Sequence, residues 1–61
     1  MNTYKLTAFQ PNGEKLLDES FQAGDDSAAK EIGIQLLIEK DLLNATHRCV
    51  SSKGKLLLFH S

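Results

Sequence analysis

The stretch Thr3-Tyr4-Lys5-Leu6-Thr7-Ala8-Phe9 decides the fold, because it runs directly into the turn residues Pro11-Asn12-Gly13. Tyr4, Leu6 and Ala8 alternate with polar residues, which is the period of a strand with one buried face. Proline, asparagine and glycine in this order favour a tight turn that ends on a left-handed residue. The chain therefore begins with a predicted hairpin. Its strands span about residues 3–9 and 15–22.

The register of this first hairpin stays open from sequence alone. Leu16 and Leu17 are neighbours and must point to opposite faces of a regular strand, whereas Leu17 and Phe21 share a face with Glu19. A slip of one residue exchanges the two faces completely, and a bulge near the turn would settle the choice. The order of the strands in the sheet stays open as well.

The last part of the chain repeats the pattern of a hairpin. Its predicted strands span about residues 46–51 and 55–60, with Ser52-Lys53-Gly54 as the turn. If Ser51 pairs with Lys55, both faces of the last strand are apolar. The pairs that follow are Val50 with Leu56, Cys49 with Leu57, Arg48 with Leu58 and His47 with Phe59.

Between the hairpins, the sequence predicts one amphipathic helix over about residues 26–43. Asp25 can cap its first amides, and Asn44 tolerates the left-handed conformation that ends many helices. Gly33 costs about 1 kcal/mol relative to alanine in a helix interior. It indicates either a close approach of the helix to a strand or tolerance of a small defect. The stripe expected on the sheet consists of Ala29, Ile32, Gly33, Leu36 and Leu43.

Together these elements predict a single α+β domain over residues 1–61, of ββαββ order. Two hairpins form a four-stranded sheet, and one helix packs on one of its faces. A chain of this length buries only about 60% of its unfolded surface, so its stability should be small. Cys49 is the single cysteine, so no disulfide contributes, and a reducing compartment fits. We expect a cytoplasmic protein without a signal peptide or a membrane span.

No catalytic, metal-binding or cofactor motif stands out in the sequence. His47, Cys49 and His60 are the only nitrogen and sulfur donors near one another, and a structural zinc site takes four ligands. Cys49 lies in mid-strand, where a small buried hydrophobe is expected rather than an exposed nucleophile. We therefore predict no catalytic residues, no metal, no cofactor and a non-enzymatic role.

The chain holds more apolar residues than one helix on one sheet can bury. Ile34, Ile38 and Leu42 form a second helical stripe, well away from the first. Val50, Leu56 and Leu58 are expected on the sheet face that the helix leaves open. A broad apolar helix face could wrap around the sheet edge, but such patches otherwise mark association. We predict an interaction module that binds a partner protein or a second copy of itself.

Charge is divided unevenly along the chain. Residues 1–43 hold all eight acidic residues, whereas residues 44–61 hold Arg48, Lys53 and Lys55 and no acid. This basic patch supports an alternative role in nucleic-acid binding, with Tyr4 or Phe9 stacking on bases. The net charge of −1 and the lack of interleaved aromatic residues weigh against it.

Several short segments resemble one family along the whole chain. They are Thr-Tyr-Lys-Leu-Thr, a Pro-x-Gly-Glu-Lys turn, an acid-opened helix, Thr-His-Arg and Gly-Lys-Leu-Leu-Leu-Phe-His. In this order they are similar to the YhzD-like family of short proteins from bacilli and their relatives. The resemblance implies a small cytosolic protein without an assigned activity, and it supplies no functional residue.

Overall fold

The computed structural model describes residues 1–60, which form one antiparallel sheet and one helix. The α+β fold of ββαββ order is therefore confirmed, with four strands and a helix on one face. The sheet order is β2-β1-β3-β4, so the first strand of each hairpin lies in the centre. The elements are β1 Asn2–Phe9, β2 Lys15–Ala23, α1 Asp26–Glu39, β3 Thr46–Ser51 and β4 Leu56–His60.

A bulge in β2 sets the register of the first hairpin. Ala8 pairs with Leu17 and Phe9 with Lys15, so Leu16 is the additional residue. Gly13 closes the turn at a φ of 89°, which glycine adopts without steric cost. The bulge places Leu17 on the helix side of the sheet and leaves Leu16 exposed.

The core lies between α1 and the sheet face that carries the alternating residues of β1. Gly33 lets the helix approach closely, because a Cβ atom there would lie 3.2 Å from Leu58 Cδ1 and 3.8 Å from Cys49 Sγ. The buried apolar residues are Tyr4, Leu6, Ala8, Leu17, Ala23, Ala29, Leu37 and Cys49.

The helix ends at Glu39, so the prediction that it extends to residue 43 is wrong. Asp41 takes the left-handed conformation at a φ of 57°, in place of Asn44, the helix end that the sequence predicts. The Asp41 amide donates to the Ile38 carbonyl at 3.1 Å, and the Leu42 amide donates to the Leu37 carbonyl at 2.8 Å. This is the Schellman arrangement, which satisfies the last carbonyls of the helix.

The early end of the helix changes which leucines reach the core. Leu37 is fully buried, although it was not among the residues predicted to face the sheet. Leu43 was predicted to do so but is exposed, because the chain has already left the helix. Leu42 folds back after the turn and packs against the core.

A second bulge in β4 changes the predicted pairing of the last hairpin. Val50 lies opposite Leu56, as predicted, but Leu57 is the additional residue. Every pair beyond it is therefore displaced by one residue, and three predicted pairs are wrong. The observed pairs are Cys49 with Leu58, Arg48 with Phe59 and His47 with His60. Leu58 thus faces the helix, and Phe59 moves to the open face.

Candidate functional site

Three apolar side chains lie on the open sheet face of the β3–β4 hairpin, and we name them the C-terminal apolar patch: Val50, Leu56 and Phe59. Pairing of β3 with β4 brings them together, since Val50 lies opposite Leu56 and Phe59 is on the same face. Leu56 is 51% exposed and Phe59 56% exposed. The Arg48 guanidinium carbon lies 5.9 Å from the centroid of the Phe59 ring. The patch is therefore a solvent-facing apolar surface with one cation beside it.

Polar and charged side chains of β1 and β2 occupy much of the rest of the open face, which also carries Phe9. Lys5 Nζ lies 3.5 Å and Lys15 Nζ 3.0 Å from the carboxylate of Asp18. The hydrogen bond from Lys15 is the main reason that the pKa of Asp18 is lowered. The Thr7 hydroxyl also lies on this face, 3.5 Å from the Arg48 carbonyl oxygen. The apolar patch is thus confined to the β3–β4 side of the sheet.

The two edge strands differ in their charge. β2 carries Lys15, Asp18 and Glu19, and such charged side chains discourage pairing with another strand. β4 has the sequence Leu-Leu-Leu-Phe-His, without an acid, a lysine or an arginine. Within residues 1–60, β4 pairs with β3 alone, so one row of its backbone groups faces outward. The apolar patch therefore adjoins the less protected edge.

The second helical stripe does not form the continuous surface that we predicted. Ile34 is 37% exposed and Ile38 is 51% exposed. Leu42 lies beyond the helix end and packs against the core instead. Two partly exposed isoleucines one turn apart are ordinary for a surface helix. Leu58, which the sequence places on the open sheet face with Val50 and Leu56, also packs on the core.

The predicted basic patch is divided between two places. Arg48 lies in mid-strand beside Phe59, whereas Lys53 and Lys55 lie at the turn of the last hairpin. These two lysines line a shallow cavity of about 180 Å³ at the start of the helix. The other lining residues are Asn2, Tyr4, Asp26, Ser51 and Ser52. Because Asp26 lies among them, the cavity is not uniformly basic.

Asp26 connects the first strand and the last hairpin to the helix start. The Tyr4 hydroxyl donates to Asp26 Oδ1 at 2.9 Å, and Lys55 Nζ donates to Oδ2 at 3.1 Å. These two hydrogen bonds, that of Tyr4 first, lower the pKa of Asp26. Burial is the main cause that raises the pKa of Tyr4. Sequence reasoning missed this connection, because Tyr4 and Asp26 are distant in the chain and no motif links them.

We expect the Asp26→Asn variant to be less sensitive to acid than the wild type. A lowered folded-state pKa contributes stability above the ordinary aspartate value of about 4 and loses it as the pH falls. The difference in unfolding free energy between wild type and variant should therefore shrink from pH 7 to pH 3. Urea titrations at the two pH values measure it. Glu14→Gln, in the exposed first turn, is the control, and an equal effect there would refute the role of Asp26.

Cys49 and His47 lie in β3, and His60 lies opposite His47 in β4. Cys49 is fully buried, and burial raises the pKa of its thiol, which keeps it protonated. His47 is buried with Nδ1 3.0 Å from the Ala45 carbonyl oxygen, and its ring stacks on that of His60. Among residues 1–60, no three histidine, cysteine or acidic side chains are grouped to hold a metal ion. Within the same range, no helix has the length and apolar character needed to cross a membrane.

Comparison with known proteins places the chain in a family. The family model described as YhzD-like protein matches residues 1–61. A relative from Bacillus subtilis (strain 168), "Uncharacterized protein YhzD", is 50% identical over 60 residues, which cover 98% of each chain. No solved structure matches the chain. On the family match and this identity, the chain belongs to the YhzD-like protein family.

Proposed function

We propose that this protein is a non-enzymatic module that associates with a second copy of itself through the C-terminal apolar patch. The observation that carries the proposal is that Leu56 and Phe59, both more than half exposed, lie on an edge strand without an acid, a lysine or an arginine. Full burial of a leucine or phenylalanine side chain contributes roughly 1.5–3 kcal/mol. Covering this patch would therefore add appreciably to a domain with a small core.

The patch is a better candidate than the helix for this contact. Ile34 and Ile38 are neighbours one turn apart on a curved helix surface, and the polar side chains of Gln35 and Glu39 flank them. The patch instead lies on a flat sheet face and continues to an open edge, where backbone hydrogen bonds can be added. The free thiol of Cys49 fits a reducing, cytoplasmic compartment for this module.

Sedimentation equilibrium of the purified protein tests the proposal. We expect the wild type to dimerise with a dissociation constant in the micromolar range, and Phe59→Lys to weaken the dimer at least tenfold, about 1.4 kcal/mol. Ile38→Lys is the matched control, since Ile38 is 51% exposed but lies on the helix, on the other side of the sheet. A wild type that stays monomeric up to about 1 mM contradicts the proposal, as does equal weakening by Ile38→Lys.

Nucleic-acid binding by Arg48, Lys53 and Lys55 is the alternative function. The proximity of Lys53 and Lys55 at one turn favours it. The ion pair of Lys55 with Asp26 weakens it, because a phosphate would have to approach a carboxylate. Fluorescence anisotropy with a labelled single-stranded RNA separates the two functions. Affinity that falls with added salt and is lost in Lys53→Gln would favour the alternative.

A further inference from the structure

We infer that two copies join through antiparallel pairing of their β4 strands, with the two-fold axis between Leu57 and Leu58. The two four-stranded sheets then become one continuous sheet of twice the width. This inference rests on the proposed function and specifies the geometry of the contact. It makes the outward backbone groups of β4 part of the interface, together with the apolar patch.

The open edge of β4 supports this pairing. Among the residues described, its outward N–H and C=O groups have no strand beside them. Two identical strands related by a two-fold axis run antiparallel, so each supplies to its partner the groups that it receives. No charged side chain on Leu56–His60 opposes the approach.

The bulge at Leu57 selects the register. It places Leu56 and Phe59 on the open face, whereas Leu57 and Leu58 both pack on the core. With the axis between Leu57 and Leu58, Leu56 lies opposite the partner's Phe59, and Leu57 opposite the partner's Leu58. Each pair then joins residues on the same side of the sheet.

A shift of the register by one residue loses this match. With the axis through Leu58, Leu56 lies opposite the partner's His60, and Leu57 lies opposite the partner's Phe59. A core-side residue would then oppose a residue of the open face. The register that unites the two apolar patches is thus the one that also keeps the two core-side leucines together.

Arg48 does not prevent the contact. Arg48 lies on β3, so the two copies of Arg48 are separated by three strand spacings, about 14 Å. This exceeds the Debye length of about 8 Å at physiological ionic strength, so their repulsion is largely screened. An interface of one short strand and one patch is small, which fits an affinity in the micromolar range.

Disulfide cross-linking between two single variants tests the register. Leu56→Cys and Phe59→Cys are purified separately, mixed at a concentration at which sedimentation shows the mixture itself to be dimeric, and oxidised mildly. The mixture should form a covalent dimer, because these two positions face each other across the axis. Either variant alone should not, because its two cysteines lie about three residues apart along the strands, roughly 10 Å, beyond the 7 Å limit for a disulfide. Buried Cys49 stays in place, and oxidised wild type controls for its reactivity.

The possible results separate this inference from the proposed function. Cross-linking of the mixture alone supports the inference. Equal cross-linking of the single variants overturns the register. If the mixture does not cross-link although sedimentation shows a dimer that depends on Phe59, the strand pairing is wrong and the self-association proposal stands. A monomeric wild type in sedimentation overturns both.

Discussion

Replacing Leu6 with alanine is expected to lower the free energy of unfolding by about 3 kcal/mol. Leu6 is fully buried in a central strand, where it lies opposite Cys49. The change removes buried methyl groups and leaves a cavity under the helix, which the sheet cannot close. Because a domain of this size has only a few kcal/mol of stability, we expect much of the variant to be unfolded at 25 °C.

Urea denaturation followed by circular dichroism measures this effect at one fixed protein concentration, since dimerisation adds stability by mass action. Ile38→Ala is the matched control, because it also truncates an aliphatic side chain but one that is 51% exposed. We expect it to change stability by no more than about 0.5 kcal/mol. Equal losses in the two variants would contradict the assignment of Leu6 to the core.

The Gly33→Leu variant is expected to lose about 3 kcal/mol through overpacking. A Cβ atom at this position would already lie 3.2 Å from Leu58 Cδ1, so a full leucine side chain must push α1 away from β3 and β4. Gly33→Ala should behave differently. Alanine gains about 1 kcal/mol in helix propensity over glycine. To admit its methyl group, only the end of the Leu58 side chain has to move slightly.

The test compares the free energies of unfolding of the two Gly33 variants. We expect Gly33→Ala to remain within about 1 kcal/mol of the wild type in the same urea titration. If Gly33→Leu were equally well tolerated, the helix would not pack as closely on the sheet as the structure shows. If both variants were strongly destabilised, the Leu58 side chain would be unable to move.

The sequence predicted the elements of the fold well, because each has a local cause. Alternation in β1 and the turn at Gly13 specify the first hairpin, and Asp25 accepts from the Ala28 amide at 2.8 Å as an N-cap should. Strand order could not be predicted in this way, since nothing local to either hairpin states that β1 lies beside β3.

The errors in the candidate site have two physical causes. Asp41 and Asn44 both tolerate a left-handed conformation, so the sequence offers two helix ends and does not choose between them. The predicted helix therefore extends beyond the true end, and the prediction places Leu42 in a surface stripe of that helix. β4 contains three consecutive leucines, so the alternation of apolar and polar residues cannot show that Leu57 is the additional residue of a bulge. That bulge exchanged Leu58 for Phe59 on the open face.

The unequal edges of the sheet would limit how far association can proceed. Once two β4 strands pair, the new sheet ends on both sides in β2, whose charged side chains discourage pairing with a further strand. The assembly is then closed at two copies, whereas a chain with two bare edges could add subunits without end, as a filament does. The charged side chains of β2 would thus limit the assembly to two subunits.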